Sequence, residues 1–141
     1  MKSIFIIFLA FLFSCKANAD QSKSIVFTAA DNYFVKNSQI IDKSLEKVII
    51  SQKEFDEIFG TAVHRGEKGI PTAIDFSKEQ IIAVMLPVKN TSTEILPLKL
   101  VNTKTNEAEF FYEIKPGKKL SYGVRPELLL VEFDKLLDTT L

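Results

Sequence analysis

The chain has 141 residues, with 18 lysines and arginines against 18 aspartates and glutamates, one histidine and one cysteine. This balance gives no electrostatic reason to expect a nucleic acid or an anionic membrane surface as partner. A single histidine cannot supply a histidine-based metal cluster and a single cysteine cannot close an internal disulfide, so stability has to come from an apolar core.

The first 19 residues read as a secretory signal peptide: a positive start at Lys2, an apolar block over residues 4–13, and small residues beyond it. That block is about half the roughly 20 residues needed to span a bilayer, so no membrane span is expected. Two processing sites compete. Ala17-Asn18-Ala19 before Asp20 fits the small-x-small rule, whereas Leu12-Phe13-Ser14-Cys15 resembles the lipobox of bacterial lipoproteins, in which Cys15 would carry a lipid anchor. Cleavage after Ala19 removes Lys2, Lys16 and the cysteine, leaving 16 basic residues against 18 acidic. Either route predicts an exported protein, periplasmic or secreted in one case and lipid-anchored in the cell envelope in the other.

Residues 20–31 read as an N-terminal tether, residues 32–137 as one α+β domain and residues 138–141 as a tail. The expected fold is a mixed, mostly antiparallel β-sheet covered by one short amphipathic helix. Aromatic and β-branched residues favour strands at Asn32-Tyr33-Phe34-Val35-Lys36-Asn37 and Lys47-Val48-Ile49-Ile50. Ser51 followed three residues later by Glu54 is a capping-box signature, and Phe55, Ile58 and Phe59 recur at helical spacing. These features predict a helix over residues 52–59, with Gly60 as its left-handed C-cap. Residues 61–73 form the longest loop and carry the charged stretch His64-Arg65-Gly66-Glu67-Lys68.

Asp75 is suited to capping the turn Asp75-Phe76-Ser77-Lys78-Glu79. Beyond that turn lies Ile81-Ile82-Ala83-Val84-Met85-Leu86, six apolar residues closed by Pro87. A run of that length, rich in β-branched types, fits a strand covered on both faces better than a helix of ten or more residues. Residues 89–93 read as a polar turn and residues 94–101 as a strand, with Pro97 at a bulge or an edge. After a hairpin connection over residues 102–106, Ala108, Phe110, Tyr112 and Ile114 alternate with Glu107, Glu109, Phe111 and Glu113, the pattern of a half-buried antiparallel strand. Pro116-Gly117-Lys118-Lys119 reads as a turn and Glu127-Leu128-Leu129-Leu130-Val131-Glu132-Phe133 as the last strand.

No catalytic constellation emerges. His64 has no orienting carboxylate and nucleophile specified beside it, and Asp56 and Glu57, adjacent on the helix, point about 100° apart rather than acting as a pair. Glu107, Glu109 and Glu113 project from one strand face, where they could hold a cation or could simply be solvated opposite lysines. The sequence therefore predicts no catalytic residue, no cofactor and no metal. Candidate partner-binding positions are His64 and Arg65 in the long loop, Lys89 and Asn90 in the turn after the central strand, and the aromatics Phe111 and Tyr122. Exposed apolar residues on a charged strand face can mark a partner surface. The competing role for the two aromatics is the floor under the helix.

The order Val48-Ile49-Ile50-Ser51, then Glu54-Phe55, then Ile74-Asp75-Phe76-Ser77-Lys78 and the apolar strand resembles the C-terminal domain of bacterial PrcB-type protease-complex subunits. Asn32-Tyr33-Phe34-Val35-Lys36-Asn37 and Arg125-Pro126-Glu127-Leu128-Leu129 frame the same core in small exported proteins of Bacteroidetes, which the chain also resembles. The resemblance implies a non-catalytic exported binding module that associates with a protease or another envelope protein through an edge strand or loop. The alternative is a protease inhibitor acting through an exposed loop, at residues 86–93 or 60–73.

Overall fold

A computed structural model describes residues 23–62, 69–104 and 107–133. The segment expected to be a signal peptide, with Cys15, together with His64, Arg65 and the residues after 133, lies outside the described residues. The fold is α+β, and every strand pairing among the described residues is antiparallel. In chain order the elements are β1 (Lys23–Ser24), β2 (Phe27–Ala29), β3 (Tyr33–Val35), β4 (Leu45–Ile49), α1 (Gln52–Ile58), β5 (Phe59–Thr61), β6 (Glu79–Met85), β7 (Lys89–Lys104), β8 (Glu107–Val124) and β9 (Glu127–Phe133).

The central strand is β6. It lies between β9 and β4 in a four-stranded sheet of order β2-β9-β6-β4. Because side chains alternate along a strand, its residues divide between two cores. Ile81, Ala83 and Met85 pack with Phe55, Ile58 and Phe59 on the helix side. Ile82 packs with Ile25, Leu100 and Leu130, and Val84 with Leu86 and Ile95, on the side covered by the second sheet, of order β1-β7-β8. The expected coverage of this strand on both faces is what the structure shows.

The helix begins as the sequence predicts. Ser51 has an extended backbone, and its hydroxyl accepts from the Glu54 N–H at 3.4 Å. The Glu54 carboxylate meets Lys47 Nζ at 2.8 Å. The helix ends differently, because Phe59 is already extended and Gly60 lies in β5 rather than in a left-handed cap. Glycine is needed there for a close approach: in the β3–β5 pair Gly60 faces Phe34, whose ring would stand 2.7 Å from an added Cβ. Asp75 does cap its turn, its Oδ1 accepting from the Ser77 N–H at 3.0 Å.

Three further expectations are corrected. The tether over residues 20–31 is too long, since β2 pairs with β9 and Ile25, buried in the core, donates its N–H to the Leu100 carbonyl at 2.9 Å. Residues 89–93 are not a turn but the start of β7, paired with the end of β8. Pro116-Gly117 likewise lies inside β8. An edge strand has a free side on which a missing proline N–H breaks no ladder bond. The register slips between Thr91↔Lys119 and Thr93↔Pro116, and the Ser92 hydroxyl fills the space over Gly117 while accepting from the Lys118 N–H at 2.9 Å. A slip elsewhere, between Pro97 and Lys99, places the expected bulge at Pro97.

Candidate functional site

The two sheets stack face to face, and each ends in an edge on the same side. β4 is the last strand of the central sheet and β8 the last of the hairpin sheet. Between these edges runs a groove of about 370 Å³. Its floor is apolar, made by Val48 of β4, Ile82 of β6, Leu100 of β7 and Ala108 and Phe110 of β8, while Glu46 and Glu109 border its rim.

The sequence builds this groove by alternation. Val48 pairs with Ile82 and Leu100 with Phe110, so these side chains all point into the space between the sheets. Phe110 is fixed by an edge contact with Phe27 (centroids 6.3 Å apart) and by stacking on Tyr112 at 5.3 Å. Across one end of the groove, Tyr112 Oη donates to Glu46 Oε1 at 2.6 Å, tying β8 to β4. That hydrogen bond to Glu46, then burial and the negative charge of Glu46, push the phenol up to about 12. The hydroxyl is therefore a fixed donor throughout the physiological range.

Glu109, Phe111 and Glu113 of β8 point to the opposite, outer face of the hairpin sheet and are exposed. Their partners across the ladder are Val101, Lys99 and Leu96, and Lys99 Nζ lies 4.4 Å from the centroid of the Phe111 ring. No family model, curated protein or solved structure matches the chain. The functional reading accordingly rests on the residues themselves.

Of the partner-binding positions picked from the sequence, Phe111 borders the groove. Lys89, Asn90 and Tyr122 are exposed at the other end of the hairpin, where Lys89 pairs with Val124. Neither aromatic is the floor under the helix, because α1 covers the other face of the central sheet. The alternation of β8 reveals its inner face in the sequence. Nothing local marks Glu46 and Val48 as its neighbours, since β4 and β8 meet only through the stacking of two sheets.

Two polar clusters lie elsewhere. Arg125 Nη1 donates to the Val35 and Lys36 carbonyls at 3.3 and 3.0 Å, and the Val35 N–H donates to the Glu127 carboxylate. Burial raises Glu127 to about 7, against the lowering effects of that hydrogen bond and of Arg125. On the central sheet, the fully buried Gln80 donates through Nε2 to Glu132 Oε2 at 2.5 Å. Among the described residues, no group of three or more histidines, cysteines and acids is placed to hold a metal ion.

Proposed function

We propose that this is a non-catalytic exported binding module that engages another exported or envelope protein at the groove between β4 and β8. The observation that carries the reading is an apolar cleft between two strand edges that nothing among the described residues covers. Concave apolar sites with a few placed polar groups are where proteins take ligands, and free sheet edges are where they take peptides. Export rests on the leader sequence, and association with a protease on the resemblance to PrcB-type subunits. Of the 86–93 segment considered for the inhibitor alternative, residues 89–93 are paired strand.

Ala108→Arg tests the reading, since the new side chain fills the groove from a position that is only half-buried. The tagged wild type, isolated from its native envelope, retains a defined set of proteins, and the variant loses them while keeping the same circular dichroism and urea midpoint. Retention of the same set by a folded Ala108→Arg protein refutes the groove as the binding site.

A further inference from the structure

Four consecutive residues of β8, Ala108 to Phe111, line the groove. Side chains of a strand alternate between faces, so a cleft that touches four in succession passes along the backbone edge itself. Among the described residues β8 pairs with β7 alone, which leaves the N–H and C=O groups of its other edge directed at this opening.

We propose that the occupant of the groove is an extended segment of a partner protein, added as a strand to the free edge of β8, with apolar side chains on one face and basic side chains on the other. This deepens the binding-module reading and rests on it. The apolar face follows from what an added strand would meet on the inner side, namely Val48, Ile82 and Phe110. The basic face follows from the outer side, where Glu109 and Glu113 flank Phe111 and lie beside the new strand as cross-strand neighbours. Opposite charges in such pairs stabilise and like charges destabilise.

The same outer row argues against a second copy of this chain as occupant. Two β8 strands paired antiparallel about Phe111 would set Glu109 of each against Glu113 of the other, and like charges on a free edge are a recognised device against self-association. A segment spanning Ala108 to Glu113 covers roughly 20 Å of edge at about 3.3 Å per residue. Three peptides of seven residues therefore suffice as probes: alternating lysine and valine, alternating glutamate and valine, and lysines and valines in separate blocks.

Binding of each labelled peptide to the protein is read by fluorescence anisotropy, for the wild type and for a Glu109→Lys/Glu113→Lys double variant whose changes are confined to exposed positions. The alternating basic peptide should bind wild type about ten-fold tighter than the alternating acidic one, the ratio expected of two favourable pairs against two repulsive ones. It should also bind tighter than the blocked one, which cannot put its apolar and basic side chains on separate faces. The double variant should reverse the preference toward the acidic peptide. Equal binding of the two alternating peptides overturns the charge assignment, and equal binding of the blocked peptide overturns strand addition. If wild type binds none of them, the inference falls, while loss of envelope partners by Ala108→Arg would still uphold the groove. If the peptides bind as expected but Ala108→Arg keeps its envelope partners, the peptide chemistry stands and the functional reading falls.

Discussion

Glu127 gives the protein a stability that depends on pH in a direction opposite to most carboxylates. Burial raises its folded-state value from 4.5 to about 7. A raised carboxylate stabilises the fold fully below the unfolded value near 4.5, and that stability is lost as pH rises through about 7, because the folded state must then hold an unfavourable charge. A shift of this size corresponds to a ceiling of about 3.4 kcal/mol at 1.36 kcal/mol per unit. The side chain is only half-buried, so solvent screening reduces the effect to about 1 to 2 kcal/mol. Glu127→Gln keeps an oxygen to accept from the Val35 N–H and removes the charge. Urea unfolding of both proteins at pH 5 and pH 8 checks the prediction: the variant should gain about 1 to 2 kcal/mol over wild type at pH 8 relative to its gain at pH 5. Parallel pH dependence of the two proteins would refute the reasoning, and a variant relatively weaker at pH 8 would reverse its sign.

Ile82→Ala should cost about 2 to 5 kcal/mol, because the side chain is 3% exposed and sits between the stacked sheets, where its removal leaves a cavity. Leu98→Ala, at a position 61% exposed, should stay within about 0.5 kcal/mol, and thermal unfolding of the pair separates them. Gly60→Ala should cost about 1 kcal/mol through its collision with the Phe34 ring rather than through backbone strain. In a Phe34→Ala background the same change should be nearly neutral, so a double-mutant cycle measured in urea shows the coupling.

Much of the core was legible because it is written locally. Six apolar residues in succession at Ile81 to Leu86 require cover on both faces, and Ser51, Glu54 and Phe55 place the start of a helix. The same local reasoning failed at Gly60 and at Pro116-Gly117. Both have the composition of chain-reversal signals, yet glycine serves in one case to admit the Phe34 ring and in the other to admit the Ser92 hydroxyl. Those requirements come from strands paired across the sheet. The early strands were missed for a related reason: β1 and β2 are two and three residues long, too short to show a period, and are held in place by β7 and β9.

The sequence by itself determined which way side chains face from Ala108 to Glu113 of β8, since a period of two is a property of consecutive residues. Ala108, Phe110 and Tyr112 point inward and Glu109, Phe111 and Glu113 outward for that reason alone. In β7, by contrast, the bulge at Pro97 breaks that period and buries both Ile95 and Leu100, five residues apart. Only the tertiary structure decided that the inward set of β8 meets Glu46 and Val48 of β4 across an open cleft, and that Glu127 is drawn into a half-buried site beside Val35 and Arg125. Lateral neighbours and local dielectric are set by contacts between residues far apart in the chain, and alternation carries no information about either.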